Sequence, residues 1–208
     1  MVKMEDLVGG TANLRVGRVL RASARGFVVG CKVMQPDIPA FGSFVRADLQ
    51  PAGISVYGLI YDVVLRDDPM ARRFVIAEPP EEVIRDQREN RGMPIEVGVL
   101  AVGCRMEGRI VHCIPPQPPV TMDTLYRCTP EEIVEFTQRL DYFRLVLDAP
   151  YVPVDELLLA SLRVAAAARP PQERRPFLIE AGRELTRLLG NDLLRLDGLL
   201  RRLSAMAR

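Results

Sequence analysis

Apolar and polar positions alternate with a period of two through the first half of the chain and with a period near 3.6 through the second. In "VGRVLRASARGFVVGCKV", Val16, Val19 and Leu20 and then Phe27, Val28, Val29, Cys31 and Val33 form two β-branched and aromatic-rich runs. Gly26 between them predicts a hairpin. "FGSFVRAD" follows the proline-marked loop "QPDIPAFG" as a third strand. "ISVYGLIYDVVL", residues 54–65, is apolar on both faces around Gly58. A glycine inside a strand pattern points to a bulge or tight bend, as a barrel needs at its corners. "IEVGVLAVGCRM" and "RIVHCI" predict a second hairpin, turned at Glu107 and Gly108. About six short strands with glycines at bends favour a small closed barrel over an open sheet, because closure removes the edge strands. The charged, proline-flanked "EPPEEVIRDQRENRGMP" reads as a surface excursion or short helix.

Punctuation comes at "PPQPPV", where Pro115, Pro116, Pro118 and Pro119 favour a stiff, extended connector. Beyond it, Thr129, Pro130 and Glu132 have the spacing of a helix start: hydroxyl at N-cap, proline at N1, glutamate at N3. Ile133, Val134, Phe136, Leu140 and Phe143 then share one face. A second helix starts at "PVDE", residues 153–156, and ends before Pro170 and Pro171. In the last stretch Leu185, Leu189, Leu193, Leu196, Leu200 and Leu203 step by three or four, a broad leucine face. Gly190 and Asn191 can end one helix and cap the next. The expected architecture is α+β in two domains. A six-stranded closed β-barrel spans 12–114, a proline-rich linker 115–120, and an all-α domain of about four helices 121–208.

Composition narrows the functional classes. The 208 residues are 48% apolar, enough to bury a core, and the formal net charge is +1. A chain so near neutrality has no overall field to attract nucleic acid, so any basic face is local. Lys3 and Lys32 are the only lysines among 28 cations. Arginine suits bidentate pairing and interfaces, although the base composition of the gene accounts for the bias equally well. The four cysteines form no Cys-x-x-Cys pair, and the N-terminus shows no charged n-region followed by an apolar h-region. "LLLASLRVAAAA" is cut by Arg163 and too short to span a bilayer. Together these predict a cytoplasmic protein with reduced, mostly buried thiols and no membrane partner.

No catalytic, cofactor-binding or metal-ligating set emerges. The chain contains no G-x-x-x-x-G-K-[ST] loop, and neither lysine lies in a glycine loop, which excludes a P-loop. "VGGTANLRVG" has glycines but no strand–turn–helix context and reads as a lead-in. His112 and Cys113 are neighbours in a predicted strand and should point to opposite faces. Cys104 and Cys31 could approach one of them in a barrel, but no chelating spacing supports a metal. Asp62, Asp67, Asp68, Glu81 and Glu82 are the carboxylate candidates, and turn chemistry with solvated charge explains them. Arg72–Arg73 and Arg201–Arg202 are basic pairs, and the segment from Arg169 onward carries a local basic excess. Aromatics are nearly absent there, which counts against stacking on single-stranded nucleic acid.

The ordered series in the first half resembles the HAS-barrel, the small N-terminal barrel shared by HerA-type DNA translocases and rotary ATP synthase subunits. Gly17, Val19, Ala22, Ser23, Phe27 and Val28 are similar to its first-hairpin pattern. Pro39, Gly42, Val45 and Ala47 are similar to its proline-led strand, and Val56, Gly58, Ile60 and Val63 to the strand after it. The match covers residues 12–66 and extends weakly to 114. The resemblance implies a six-stranded barrel that in those relatives sits on an ATPase and helps build or cap a ring. No ATPase follows here, so motor activity does not carry over, whereas an assembly surface does. The expected function is a non-enzymatic interaction module without cofactors, docking on itself or on a HerA-like ring ATPase of DNA processing. The alternative is nucleic-acid binding through an arginine-rich face of the helical tail. A third class is an enzyme in the barrel–helix cleft, signalled by a deep pocket gathering Asp62, His112 and an arginine.

Overall fold

The computed structural model describes residues 14–33, 39–50, 52–65, 72, 76–77, 80–83 and 93–206. Among the described residues there are seven strands: β1 (Arg15–Ser23), β2 (Gly26–Val33), β3 (Phe44–Leu49), β4 (Ile54–Leu65), β5 (Met93–Met106), β6 (Arg109–Val111) and β7 (Thr124–Arg127). All pairings are antiparallel. Six strands close on themselves in the order β1–β7–β3–β4–β5–β2, the last pairing again with β1. β6 stands outside the ring as a short extension of β5.

A closed six-stranded barrel is therefore present, but one of its strands differs from those the pattern picks out. "RIVHCI" supplies only the three-residue β6, turned at Glu107 (φ 50°) and Gly108 (φ 76°). The sixth barrel strand is β7, beyond the prolines. Its single fully inward side chain, Leu125, is too little for a period-two signal. The barrel thus takes in residues on both sides of the expected linker at 115–120.

Alternation explains why β4 and β5 are apolar on both faces. Val56, Ile60, Val97, Val99 and Ala101 join Val19, Phe27, Val29, Val45 and Leu125 in the barrel interior. Tyr57, Leu59, Leu100 and Val102 face outward and, with Phe44, enter a second core shared with the helices. The β4–β5 register slips at two places, Tyr57/Gly58 and Ile60/Asp62. The expected bulge at Gly58 is one of them.

Five helices follow: α1 (Pro130–Phe136), α2 (Tyr142–Leu147), α3 (Val154–Ala167), α4 (Pro171–Leu188) and α5 (Leu193–Met206). The capping box forms as expected, with Glu132 N donating to Thr129 Oγ1 at 3.3 Å and Thr129 N to Glu132 Oε2 at 2.8 Å. The face shared by Ile133, Val134, Phe136, Leu140 and Phe143 reads as one helix, but the chain breaks it into two. Thr137 Oγ1 donates to the Ile133 carbonyl at 2.6 Å, and the Thr137 carbonyl accepts from Arg169 instead of extending the helix. At the start of α5 the capping side chain is Asp192, whose Oδ1 accepts from Arg195 N at 3.2 Å, rather than Asn191. No helix among the described residues is long and apolar enough to cross a membrane.

Helices and barrel meet without a spacer, since only Cys128 and Thr129 separate β7 from α1. Two arginines clamp α1 to the barrel wall. Arg46 on β3 pairs with Asp48 and puts Nε 2.7 Å from Glu132 Oε1. Arg105 on β5 reaches Glu135 at 2.5 Å and Tyr57 Oη at 3.3 Å. Beneath them Phe136 packs against Tyr57, Phe44 and Tyr142 with centroids 5.0–5.8 Å apart. Such pairs contribute about 0.5–1.5 kcal/mol each beyond their buried area. On the other side of the seam, Gly42 (φ +81°) approaches α3 so closely that an added Cβ would lie 2.4 Å from Ala160 Cβ.

Candidate functional site

A cleft of about 610 Å³ opens along this seam. One wall is the β1–β2 hairpin, with Arg21, Ser23 and Arg25; the other is the α2–α3 connection around Asp148 and Pro150. Leu100, Ile114, Leu145 and Val152 give it apolar lining. Tyr61 closes one side, its ring held where a Cβ on Gly98 would come within 2.9 Å. Arg21 is engaged at long range with Glu96, 3.9 Å away. An apolar trough with guanidinium groups on one lip and a carboxylate on the other suits a side chain or segment of another molecule. No sequence motif marks it, because its lining comes from strands, a hairpin turn and an interhelical loop far apart in the chain.

A second cleft, about 480 Å³, lies between β6 and the end of α1, lined by Arg109, His112, Glu135, Arg139 and Asp141. His112 is half-buried. Its Nε2 lies 3.0 Å from the Phe136 carbonyl oxygen and its ring 4.5 Å from that of Phe136. Burial holds its pKa below the ordinary value, opposed by the bond to the Phe136 carbonyl. Cys113 places its sulfur 3.7 Å from that of Cys104. Because β6 ends at Val111, His112 and Cys113 both lie past it rather than in the strand the pattern predicts, and strand alternation does not set their directions. Burial pushes the Cys104 thiol up to about 12, and burial likewise raises Cys128 and Cys31.

Asp62 is exposed on β4 and does not line the cleft that holds His112. Glu81 and Glu82 are exposed in one helical turn, Arg72 is exposed, and Asp67, Asp68 and Arg73 lie outside the described residues. Among the described residues, no three His, Cys, Asp or Glu side chains are arranged to hold a metal ion.

The arginines of the helical tail are largely paired with acids. Arg195 meets Asp155 at 2.6 Å, Arg202 meets Glu156 at 2.5 Å, Arg187 meets Glu184 at 2.5 Å and Arg201 meets Asp197 at 2.8 Å. This gives a mixed-charge surface. Arg169 is nearly buried, donating to the Ala165 carbonyl at 2.7 Å and to Thr137 Oγ1 at 2.8 Å, with its guanidinium 3.7 Å from the centre of the Phe177 ring. It is a structural cation, not a surface one.

The chain matches no protein-family model and no curated protein sequence.

Proposed function

We propose that the protein is a non-enzymatic assembly module whose barrel, similar in its strand series to the HAS-barrel, docks on itself or on a HerA-like ring ATPase of DNA processing. The observation that carries this reading is the seam cleft, an apolar trough with a charged rim to which the barrel and the helices both contribute. Solvent-exposed apolar side chains give further support. Leu20, Val120 and Met122 lie where the 120–123 turn is bonded to β1, and Leu193 and Leu194 are 70% and 90% exposed at the start of α5. The nucleic-acid alternative loses weight because the tail arginines are matched by carboxylates, so few remain to neutralise phosphates.

The test is sedimentation velocity of the full chain alone and with a purified HerA-like ATPase from the same cell, repeated with Ala22→Trp. Ala22 is exposed on β1 and lines the cleft, so tryptophan there fills the trough from outside. Self-association or a complex with the ATPase that Ala22→Trp weakens at least tenfold supports the reading. A chain that stays monomeric and ignores the ATPase overturns it, as does a complex indifferent to the substitution.

A further inference from the structure

We propose that Cys104 and Cys113 form a reversible intramolecular disulfide, closed by exchange with a low-molecular-weight disulfide. Neither is in a disulfide in this structure, and their sulfurs lie 3.7 Å apart. A disulfide needs about 2.05 Å. In this proposal, rotation about the two side-chain torsions supplies the remaining approach of roughly 1.7 Å.

The fold sets up this meeting. Cys104 lies in β5 directly opposite Val111 of β6. After β6 the chain bends at Cys113, which brings that residue back over Cys104. Cys104 is fully buried, whereas Cys113 is partly exposed. Among the described residues the other two cysteines have no such neighbour. Cys31 Sγ faces the Ile95 carbonyl at 3.8 Å, and Cys128 is enclosed in the core shared with the helices.

This asymmetry in access divides the chemistry. The Cys113 thiolate attacks one sulfur of the small disulfide RSSR, forming Cys113–S–SR and releasing RS⁻, which takes up the proton Cys113 gave away. The Cys104 thiolate then attacks Cys113 Sγ, forming the Cys104–Cys113 bond and expelling the second RS⁻, which is protonated in turn. Two protein thiols are oxidised by two electrons and RSSR is reduced to two RSH. The buried Cys104 holds its proton, so the second step is the slow one and speeds up as pH rises. The bond ties β5 to the residue just past β6 and so fixes the free end of the sheet and the entry to Pro115.

The experiment treats the folded full chain with glutathione disulfide at pH 7.5 and 8.5, blocks remaining thiols with N-ethylmaleimide, and maps peptides without reduction. Trypsin cuts after Arg105 and Arg109 separate the two cysteines, so the bond appears as a cross-linked pair 2 Da below the sum of its free-thiol peptides. The expected result is Cys104–Cys113 as the dominant cross-link, forming several-fold faster at the higher pH. Cys104→Ser should stop at a glutathione adduct on Cys113, and Cys113→Ser should leave Cys104 as a free thiol. Both variants should keep the parent's circular dichroism, which separates lost chemistry from lost fold. Cross-links to Cys31 or Cys128 at equal yield, or a Cys113 adduct that never resolves in the parent, overturn the proposal. An unmodified Cys113 in Cys104→Ser does the same.

Discussion

Replacing Gly58 with alanine should destabilise the protein even though alanine is the stiffer residue in the unfolded chain. A Cβ at this position would lie 2.3 Å from Val99 Cγ1 and 3.0 Å from the Leu100 carbonyl oxygen. Ordinary contact needs about 3.5–4.0 Å. Neither neighbour yields easily. The Leu100 carbonyl belongs to the β4–β5 ladder, and Val99 is a β-branched side chain, 0% exposed, inside the barrel. Overpacking of this kind costs roughly 1–3 kcal/mol, and relief of glycine's unfolded-state entropy returns roughly 0.5–1 kcal/mol. The net loss for Gly58→Ala then lies between about 0 and 2.5 kcal/mol, and the 2.3 Å approach to Val99 Cγ1 places it in the upper half of that range. Valine should be worse, since its strand propensity is worth at most about 1 kcal/mol against two further methyls in the same space.

A double-mutant cycle isolates the cause. Val99→Ala removes the nearest atom of the clash and on its own costs roughly 1.6 kcal/mol of transfer free energy plus a cavity term. On that background Gly58→Ala should cost clearly less, a coupling of roughly 0.5–2 kcal/mol. Equilibrium guanidinium unfolding of the full chain, followed by far-ultraviolet circular dichroism because the chain lacks tryptophan, reads both quantities. If Gly58→Ala is as stable as the parent, or if the two costs simply add, the close crossing at Gly58 is not what demands glycine.

Four other outcomes are expected. His112 is the only histidine and its folded pKa is lowered, so the unfolded chain binds the proton first; its contribution is intact above about pH 6.5 and is lost as pH falls through the folded pKa, and His112→Gln should flatten that part of a stability–pH profile measured between pH 5 and 8. Arg169→Ala should cost roughly 1.5–3 kcal/mol in guanidinium unfolding, because it removes charged hydrogen bonds to Thr137 and Ala165 and the stack on Phe177. A fragment ending at Pro118 lacks β7 and should show no cooperative thermal transition; a sharp transition by circular dichroism would show that the barrel closes without it. Calorimetric titration with Mg-ATP should reveal no stoichiometric micromolar site, and finding one would reopen the enzymatic reading.

How much of this was legible in the sequence depends on how local each feature is. The β1–β2 and β5–β6 hairpins, the Thr129 capping box and the bulge at Gly58 are written in residues a few positions apart, and each is found where it was read. The break after Phe136 was hidden because its cause, the Arg169 side chain bonded to Thr137, comes from 32 residues away. The seam cleft was hidden for the same reason, as Arg25, Tyr61 and Asp148 carry no mutual spacing. The Cys104–Cys113 approach was only half visible. Both thiols could be assigned to neighbouring strands, but the bend that joins them lies past the end of β6.

The prolines misled for a more general reason. A change of period from two to 3.6 marks where one kind of element gives way to another, not where one core ends. Here β1 pairs with β7 across more than 100 residues; Arg18 Nη1, for instance, donates to the Met122 carbonyl at 2.7 Å. The barrel therefore cannot close until the chain beyond the prolines has been made, and the four residues of β7 lead almost directly into α1. Closing the barrel and docking the first helix become one event, because Glu132 and Glu135 are presented to Arg46 and Arg105 as soon as β7 is in register. Tyr57, Leu59 and Phe44 then require the helices, since without them the outer face of β3 and β4 is bare hydrocarbon. Under the docking function we propose, a partner that gripped the helices would be coupled to the barrel through a packed joint and two ion pairs, and the seam where that joint leaves a trough would be where both halves could be read at once.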